Sequence, residues 1–289
     1  MGLRAAARSE RTLEGYRWAL ASLRTSVGPE VEADAITSLD LQRWLEQARQ
    51  TSAPATVRFK FANARPFFRW LVACGYREDN PFSKVTAPKV PTKVVETLTD
   101  DELRAMLDTC ASQHWRDLRD RALIRVLADT GMRRSEVCNL LVSDLDLALG
   151  VLHVRVSKSG RGRMVPLGLK SRRDVRTYLR ARQRFLSRNG LLDVPALFVS
   201  RKGEPFHPQG LFRCIRRRMA MAGVHKPRAV HAFRHTFAAR ALERGAGEVE
   251  VMAVAGWTST GMLRRYAASS ETARALAAHA ALWGAGDRL

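Results

Sequence analysis

Tyr266 follows directly on Arg264 and Arg265 in the stretch GWTSTGMLRRYAASS (256–270), and it is the last of only four tyrosines in the chain. A phenol in such a setting can pack against a core or react as a nucleophile, so its partners elsewhere in the sequence matter. Two stretches supply them. TGMRRSEV (130–137) puts Gly131 at a helix break and Arg133 at the start of the next helix, while HAFRH (231–235) sets His231 and Arg234 three apart on one helical face. Two arginines and a histidine aimed at one point make a phosphate clamp. Guanidinium forks match phosphate oxygens two by two and stay charged at any working pH, which suits a transition state with spread negative charge.

Composition agrees with an anionic substrate. Lys and Arg number 49 against 28 Asp and Glu, a formal charge of +21, and the basic residues run along the whole chain, so a polyanion is the expected partner and nucleic acid the obvious one. Only eight of them are lysines, so a lysine inside a motif carries more information than an arginine. With 289 residues, 46% of them apolar, the chain can bury a real core and fill two domains. The four cysteines (Cys74, Cys110, Cys138, Cys214) are scattered without a C-x-x-C pair, which points away from zinc and disulfides and toward buried thiols in a reducing compartment. No leader-like or membrane-spanning apolar run is present, and a cytoplasmic protein is expected.

The elements that must hold these groups divide at one seam. NPFSKVTAPKVPTKVVETLTDDEL (80–103) carries Pro81, Pro88 and Pro91, which disfavour regular structure, and it closes on Thr99 and Glu102, a capping box that starts a new helix. Before it, helical periodicity covers Thr12 to Thr25, Leu39 to Arg49 and Pro54 to Cys74, the last interrupted by Pro66. After it, helices are expected over 100–110 and 117–129. In VLHVRVSKSGRGRMVPL (151–167), Leu152, Val154 and Val156 alternate with His153 and Arg155 before a Ser/Gly-rich turn, the pattern of a β-hairpin in a mainly helical domain.

Taken in order, these motifs resemble the tyrosine recombinase (phage integrase) family. The family pattern T-G-x-R-x-S-E stands as Thr130 to Glu136, the hairpin lysine followed by R-x-V-P-L as Lys158 with RMVPL (163–167), H-x-L-R-H as His231 to His235, and the G-H or G-W pair nine residues ahead of the tyrosine as Gly256-Trp257. YREDNPF (76–82) and LTDDEL (98–103) extend the resemblance over nearly the whole chain. Two departures stand out: Trp257 where histidine is usual, and Ser157-Lys158-Ser159 where G-K-G is usual.

The resemblance implies a mainly α fold. Residues 1–94 would form a helical, SAM-like core-binding domain that grips DNA and ends in a Pro/Lys-rich linker; residues 95–289 would form a mixed α/β catalytic domain, mostly helical with a small antiparallel sheet and a C-terminal tail helix. It implies a site-specific recombinase that cuts and rejoins DNA strands through a 3′-phosphotyrosyl link, with Tyr266 as nucleophile, Arg133 and Arg234 holding the non-bridging oxygens, His231 taking the phenolic proton, Lys158 protonating the leaving 5′ oxygen, and Trp257 packing under the tyrosine. No cofactor is required. Arg58, Arg65 and Arg69, seven and four apart, would face the major groove. The partners implied are double-stranded DNA and further copies of the chain, four protomers on two sites, with an accessory DNA-bending or directionality factor, in the bacterial nucleoid. The tail AASSETARALAAHAALWGAGDRL would dock through Leu276, Ala280 and Trp283 into a neighbour.

Plainer readings compete. His231 and His235 at i, i+4 have the spacing of a zinc pair but lack the glutamate of H-E-x-x-H. Tyr16, Tyr76 and Tyr178 read as packing residues. Arg172, Arg176, Arg180, Arg184 and Arg188 form an i, i+4 stripe that either tracks a DNA backbone or faces water, and water is the expectation. A type IB topoisomerase-like relaxing enzyme and a decayed DNA-binding protein are the alternative functions.

Overall fold

The proline-punctuated seam separates two units, Met1–Lys93 and Val94–Leu289. The structure, a computed structural model, describes residues 10–91, 96–155, 162–191, 194–257, 259 and 263. Lys158, Tyr266 and the tail expected to be helical lie outside the described residues.

In the first unit, α1 (Glu10–Val27), α2 (Ser38–Thr51) and α3 (Pro54–Ala73) are followed by a 3-10 turn at Pro81–Lys84. Thr37 and Asp40 close a reciprocal cap on α2, which fixes its start. Leu41, Trp44, Val57, Phe61, Ala64 and Phe68 are buried together, and Phe82 from the 3-10 turn seals them with ring centroids 5.1 Å from Phe61 and 5.3 Å from Phe68. The expected break at Pro66 does not occur. α3 runs through it, because the buried residues on both sides hold the helix while proline forfeits a single backbone hydrogen bond. Two other expectations need correction in this unit: Cys74 is exposed, and Tyr76 is 64% exposed, tilted against Trp70 rather than buried. A terminal loop residue beyond the last turn of α3 has no second layer to cover it.

The second unit is built round α5 (Trp115–Thr130). It follows α4 (Asp100–Asp108), which Thr99 and Glu102 cap as the sequence indicates. Ala122, Leu123, Ile124, Val126 and Leu127 are all buried, so α5 is covered on every side, the behaviour of a core helix. After α6 (Arg134–Cys138) come β1 (Leu145–Asp146), β2 (Val151–Val154) and β3 (Arg163–Pro166), a three-stranded antiparallel sheet in the order β1-β2-β3. The hairpin register pairs Leu152 with Val165, both buried. β1 is too short to carry a periodic signal. α7 (Leu169–Arg188), α8 (Pro208–Met221), α9 (Ala229–Glu243) and α10 (Glu248–Ala255) complete the described part. Tyr178 on α7 is fully buried and its hydroxyl accepts the Val199 amide, a packing role as expected.

One polar knot is built round a buried carboxylate of this core. Asp120, with no exposed surface, accepts from Arg119 through one carboxylate oxygen (2.8 Å) and from Arg217 and Arg218 through the other (2.7 Å each). Burial alone would raise its pKa, but the Arg119 charge, a Cys214 hydrogen bond and the Arg218 charge outweigh it and hold the carboxyl below its ordinary value. Removing one partner of such a set leaves buried guanidinia uncompensated. Asp120→Asn is therefore expected to cost about 3–5 kcal/mol of the second unit's stability, read by urea unfolding; a loss under about 1 kcal/mol would contradict the account.

Candidate active site

The site begins where α5 must stop. Gly131 adopts φ +55° as its cap, and a Cβ there would sit 2.8 Å from the Phe237 ring, so only glycine permits both the turn and the close approach of α9. The chain then swings Arg133 to the N-terminus of α6. Glu136, one turn on and 7% exposed, accepts the Arg133 backbone N–H (2.8 Å) and its guanidinium (2.8 Å). From β3, Arg163 donates to the same carboxylate at 2.8 and 3.2 Å.

These arginines share a second target. Arg163 donates to the carbonyl of Val254 (2.7 Å), Arg234 to that of Ala255 (2.6 Å) and Arg133 to that of Gly256 (2.7 Å). The three carbonyls are consecutive and terminate α10, where a helix leaves its last C=O groups without intrahelical partners and carries partial negative charge. Three guanidinia from three elements are thereby racked on one helix end. Gly256 closes the helix at φ +64°, and a Cβ there would lie 2.7 Å from an Arg163 nitrogen.

Arg234 is the most deeply placed, 4% exposed, with its other terminal nitrogen on the Gly131 carbonyl (2.7 Å) and its guanidinium 4.9 Å from the centroid of the Trp257 ring. Trp257 is buried with Ala238, Leu242, Val251, Ala255 and Leu263. Burial, then the charges of Arg133 and Arg163, against Glu136 alone, push the Arg234 pKa down to about 9. Positive charge is in excess at this point. His231, near the start of α9 and exposed, has its pKa lowered by partial desolvation of the ring and then by Arg228, Arg234 and Arg134, so its neutral, proton-accepting form is favoured. Its ring centroid is 6.4 Å from that of His235.

Of the residues singled out in the sequence, Arg133, Arg234 and Trp257 thus meet in one cluster with His231 in its field. Arg58, Arg65 and Arg69 belong to the first unit, all three exposed along α3. Glu136 and Arg163 were not assigned roles from the sequence, although both stand inside the quoted motifs TGMRRSEV and RMVPL.

Two hydrogen-bonded arginines hold Glu136 down to a pKa of about 2, against the pull of burial, from an ordinary 4.5. A depressed carboxylate pKa contributes stability above its unfolded value and loses it as pH falls through the folded one. That gap corresponds to about 3 kcal/mol at neutral pH, an upper figure. Glu136→Gln should therefore be less stable than wild type by about this amount at neutral pH, and the difference should shrink to less than half by about pH 3 in denaturant titrations. A difference that does not change with pH would show that the ion pairs are not its source.

Comparison with known proteins extends beyond the motifs. Residues 96–273 match the model of the phage integrase family. Tyrosine recombinase XerC of Chromobacterium violaceum is 30% identical over 243 residues, covering 83% of this chain and 78% of the relative. XerC of Pelobacter propionicus is 29% identical, covering 89% and 84%. Among solved structures, XerA recombinase aligns over 91% of this chain and 89% of its own at 25% identity with a TM-score of 0.51. The XerH recombinase in a post-cleavage complex aligns over 93% and 79% at 19% identity with a TM-score of 0.76, a likeness of fold. With a family match over more than half its length, on the fold and arginine cluster just described, the chain belongs to the phage integrase family of tyrosine recombinases.

Proposed function

We propose that this tyrosine-type site-specific recombinase cuts and rejoins duplex DNA with Tyr266 as nucleophile and Arg133, Lys158, His231, Arg234 and Trp257 as its catalytic set. The observation that carries the reading is the excess of positive charge at the α10 terminus: three guanidinia gather on one helix end around a single carboxylate, and burial and its neighbours push the pKa of the most buried of them, Arg234, down. A scissile phosphate is an anion suited to that charge.

In the proposed reaction the Tyr266 hydroxyl oxygen attacks phosphorus while its proton passes to neutral His231. The bond from phosphorus to the 5′ oxygen breaks, Lys158 protonates that oxygen, and a 3′-phosphotyrosyl link remains. A 5′-hydroxyl from a second strand then reverses the step. One phosphoester bond replaces another throughout, so the chemistry needs no external energy source. Arg133 and Arg234 stabilise the charge on the non-bridging oxygens, and Trp257 supports the tyrosine from beneath.

The assembly follows the same reading. Residues 1–94 bind DNA through Arg58, Arg65 and Arg69, residues 95–289 cleave it, and four protomers act on two sites, each tail seated on its neighbour. The lambda integrase structures, a dimer bound to a core site and a tetramer bound to a Holliday junction, share this fold and support such an arrangement. Among the described residues no helix is long and apolar enough to cross a membrane, and action on cytoplasmic DNA fits the basic charge.

On a nicked substrate that loses its leaving fragment, the wild-type protein should accumulate a covalent DNA adduct, whereas Tyr266→Phe should bind the same DNA and form none. Adduct from the phenylalanine variant would remove Tyr266 from the mechanism. For Lys158→Ala, cleavage should fall on an ordinary phosphodiester and recover on a 5′-bridging phosphorothiolate, whose sulfur leaves without protonation. Failure of that substrate to recover cleavage would deny Lys158 the role of general acid.

A further inference from the structure

α7 combines a long run of basic charge with little acidic charge of its own. Its twenty residues hold seven arginines and one lysine against a single acid, Asp174. That acid faces inward and is taken by Arg121 and Arg125 at 3.1 Å each, with Arg173 at 3.7 Å. Arg182 is also buried, capping the carbonyls of Val194 and Ala196. The first member of the i, i+4 stripe, Arg172, is half-buried and reaches the Ala148 carbonyl. Arg176, Arg180, Arg184 and Arg188 are left exposed. Like charges four apart on a helix repel, and a face meant only for water ordinarily alternates glutamate with its basic residues. This face instead repeats the unfavourable pair along its whole length.

Position separates the stripe from the cleavage cluster. The Gly168 amide, just before α7, donates to Asp129 at the far end of α5, and Phe185 near the end of α7 stacks on Trp115 at the beginning of α5, centroids 4.0 Å apart. α7 therefore runs antiparallel to α5. Arg184 and Arg188 lie at the Trp115 end, whereas Arg133 follows the opposite end, roughly 20 Å away by helix rise. Along the last part of α7 a groove of about 460 Å³ is lined by Arg180, Gln183, Arg184, Ser187 and Arg188.

We propose that Arg176, Arg180, Arg184 and Arg188 form a second docking surface for the phosphate backbone of duplex DNA, running away from the cleavage cluster along α7 and indifferent to sequence. Successive arginines rise about 6 Å, so the four span about 18 Å, a length over which one DNA strand presents about five phosphates. The choice of duplex DNA among polyanions rests on the recombinase reading. The surface suits a second length of DNA, held by the same protomer whose cluster engages the site being cut.

The test uses the full chain and a 40-base-pair duplex without a recombination site. Replacing the four arginines by glutamine, which keeps helix propensity and removes the repulsion, should leave the melting temperature unchanged or higher. It should lower the slope of log affinity against log salt by about 3 to 4, with affinity at low salt down about tenfold or more. The fourfold Arg→Lys variant should keep the slope, because a phosphate reads lysine as a point charge. Covalent adduct formation on a short nicked site, itself found by sequencing trapped adducts, should be unaffected by either set. An unchanged slope in the glutamine variant would return the stripe to solvent, and a slope that lysine fails to maintain would exclude simple backbone docking. Binding of poly-glutamate, but not of duplex, that depends on the stripe would make it a protein surface and overturn the proposal. Absence of adduct from wild type would count against the cleavage reading alone, since the slope is measured without cleavage.

Discussion

The second unit depends on a rack of three arginines bonded to three consecutive carbonyls at the end of α10. Each guanidinium arrives from a different element: Arg133 from the turn after α5, Arg163 from β3 and Arg234 from α9. Helix ends ordinarily satisfy their last carbonyls with water or a glycine turn. Here those groups gather parts of the chain that are 123 and 91 residues away from α10, for Arg133 and Arg163. Charge-assisted bonds of this kind are stronger than neutral ones, and their direction fixes the plane of each guanidinium. The same bonds that close α10 therefore orient the groups that would meet a phosphate.

Electrostatic balance gives the rack its second property. Glu136 neutralises part of the charge and, by accepting from both Arg133 and Arg163, prevents them from repelling one another apart. It does not neutralise all of it. Buried Arg234 keeps residual positive charge, set by burial and by Arg133 and Arg163 against Glu136. Asp120 shows the contrast within the same unit: a knot in which three guanidinia close on a carboxylate that has no exposed surface.

Much of this was legible in the sequence. Side chains with strong local grammar were readable: Thr99 and Glu102 as a cap, Gly131 as a break, Leu152 and Val154 as a buried strand face. Arg133, Arg234 and Trp257 could be grouped because their motifs stand in a known order. The rack itself could not be read, since its acceptors are backbone carbonyls and every residue has one. Glu136 and Arg163 were visible as letters but not as partners, because their meeting depends on the hairpin being laid against α6. Pro66 misled for a related reason: local propensity argued for a break, and the buried row of Phe61, Ala64, Phe68 and Leu71 overrode it. Tyr76 and Cys74 misled because composition gives the average burial of a residue type, not its place beyond the last turn of a helix.

The rack also constrains how the chain can change with time. Because its three acceptors are successive residues, adding or deleting one residue within α10 would rotate the helix end by about 100° and shift it by about 1.5 Å, unseating all three arginines together. Substitutions along the exposed side, where Val249 is 77% exposed, meet no such penalty. The exposed residues of α10 are thus free to drift in identity, whereas buried Val251 and Ala255 are not, and the length of the helix is fixed. A lineage of such proteins would show this helix as a stretch of invariant length, variable in spelling only on its exposed side, and bounded by a glycine that cannot be exchanged without displacing Arg163.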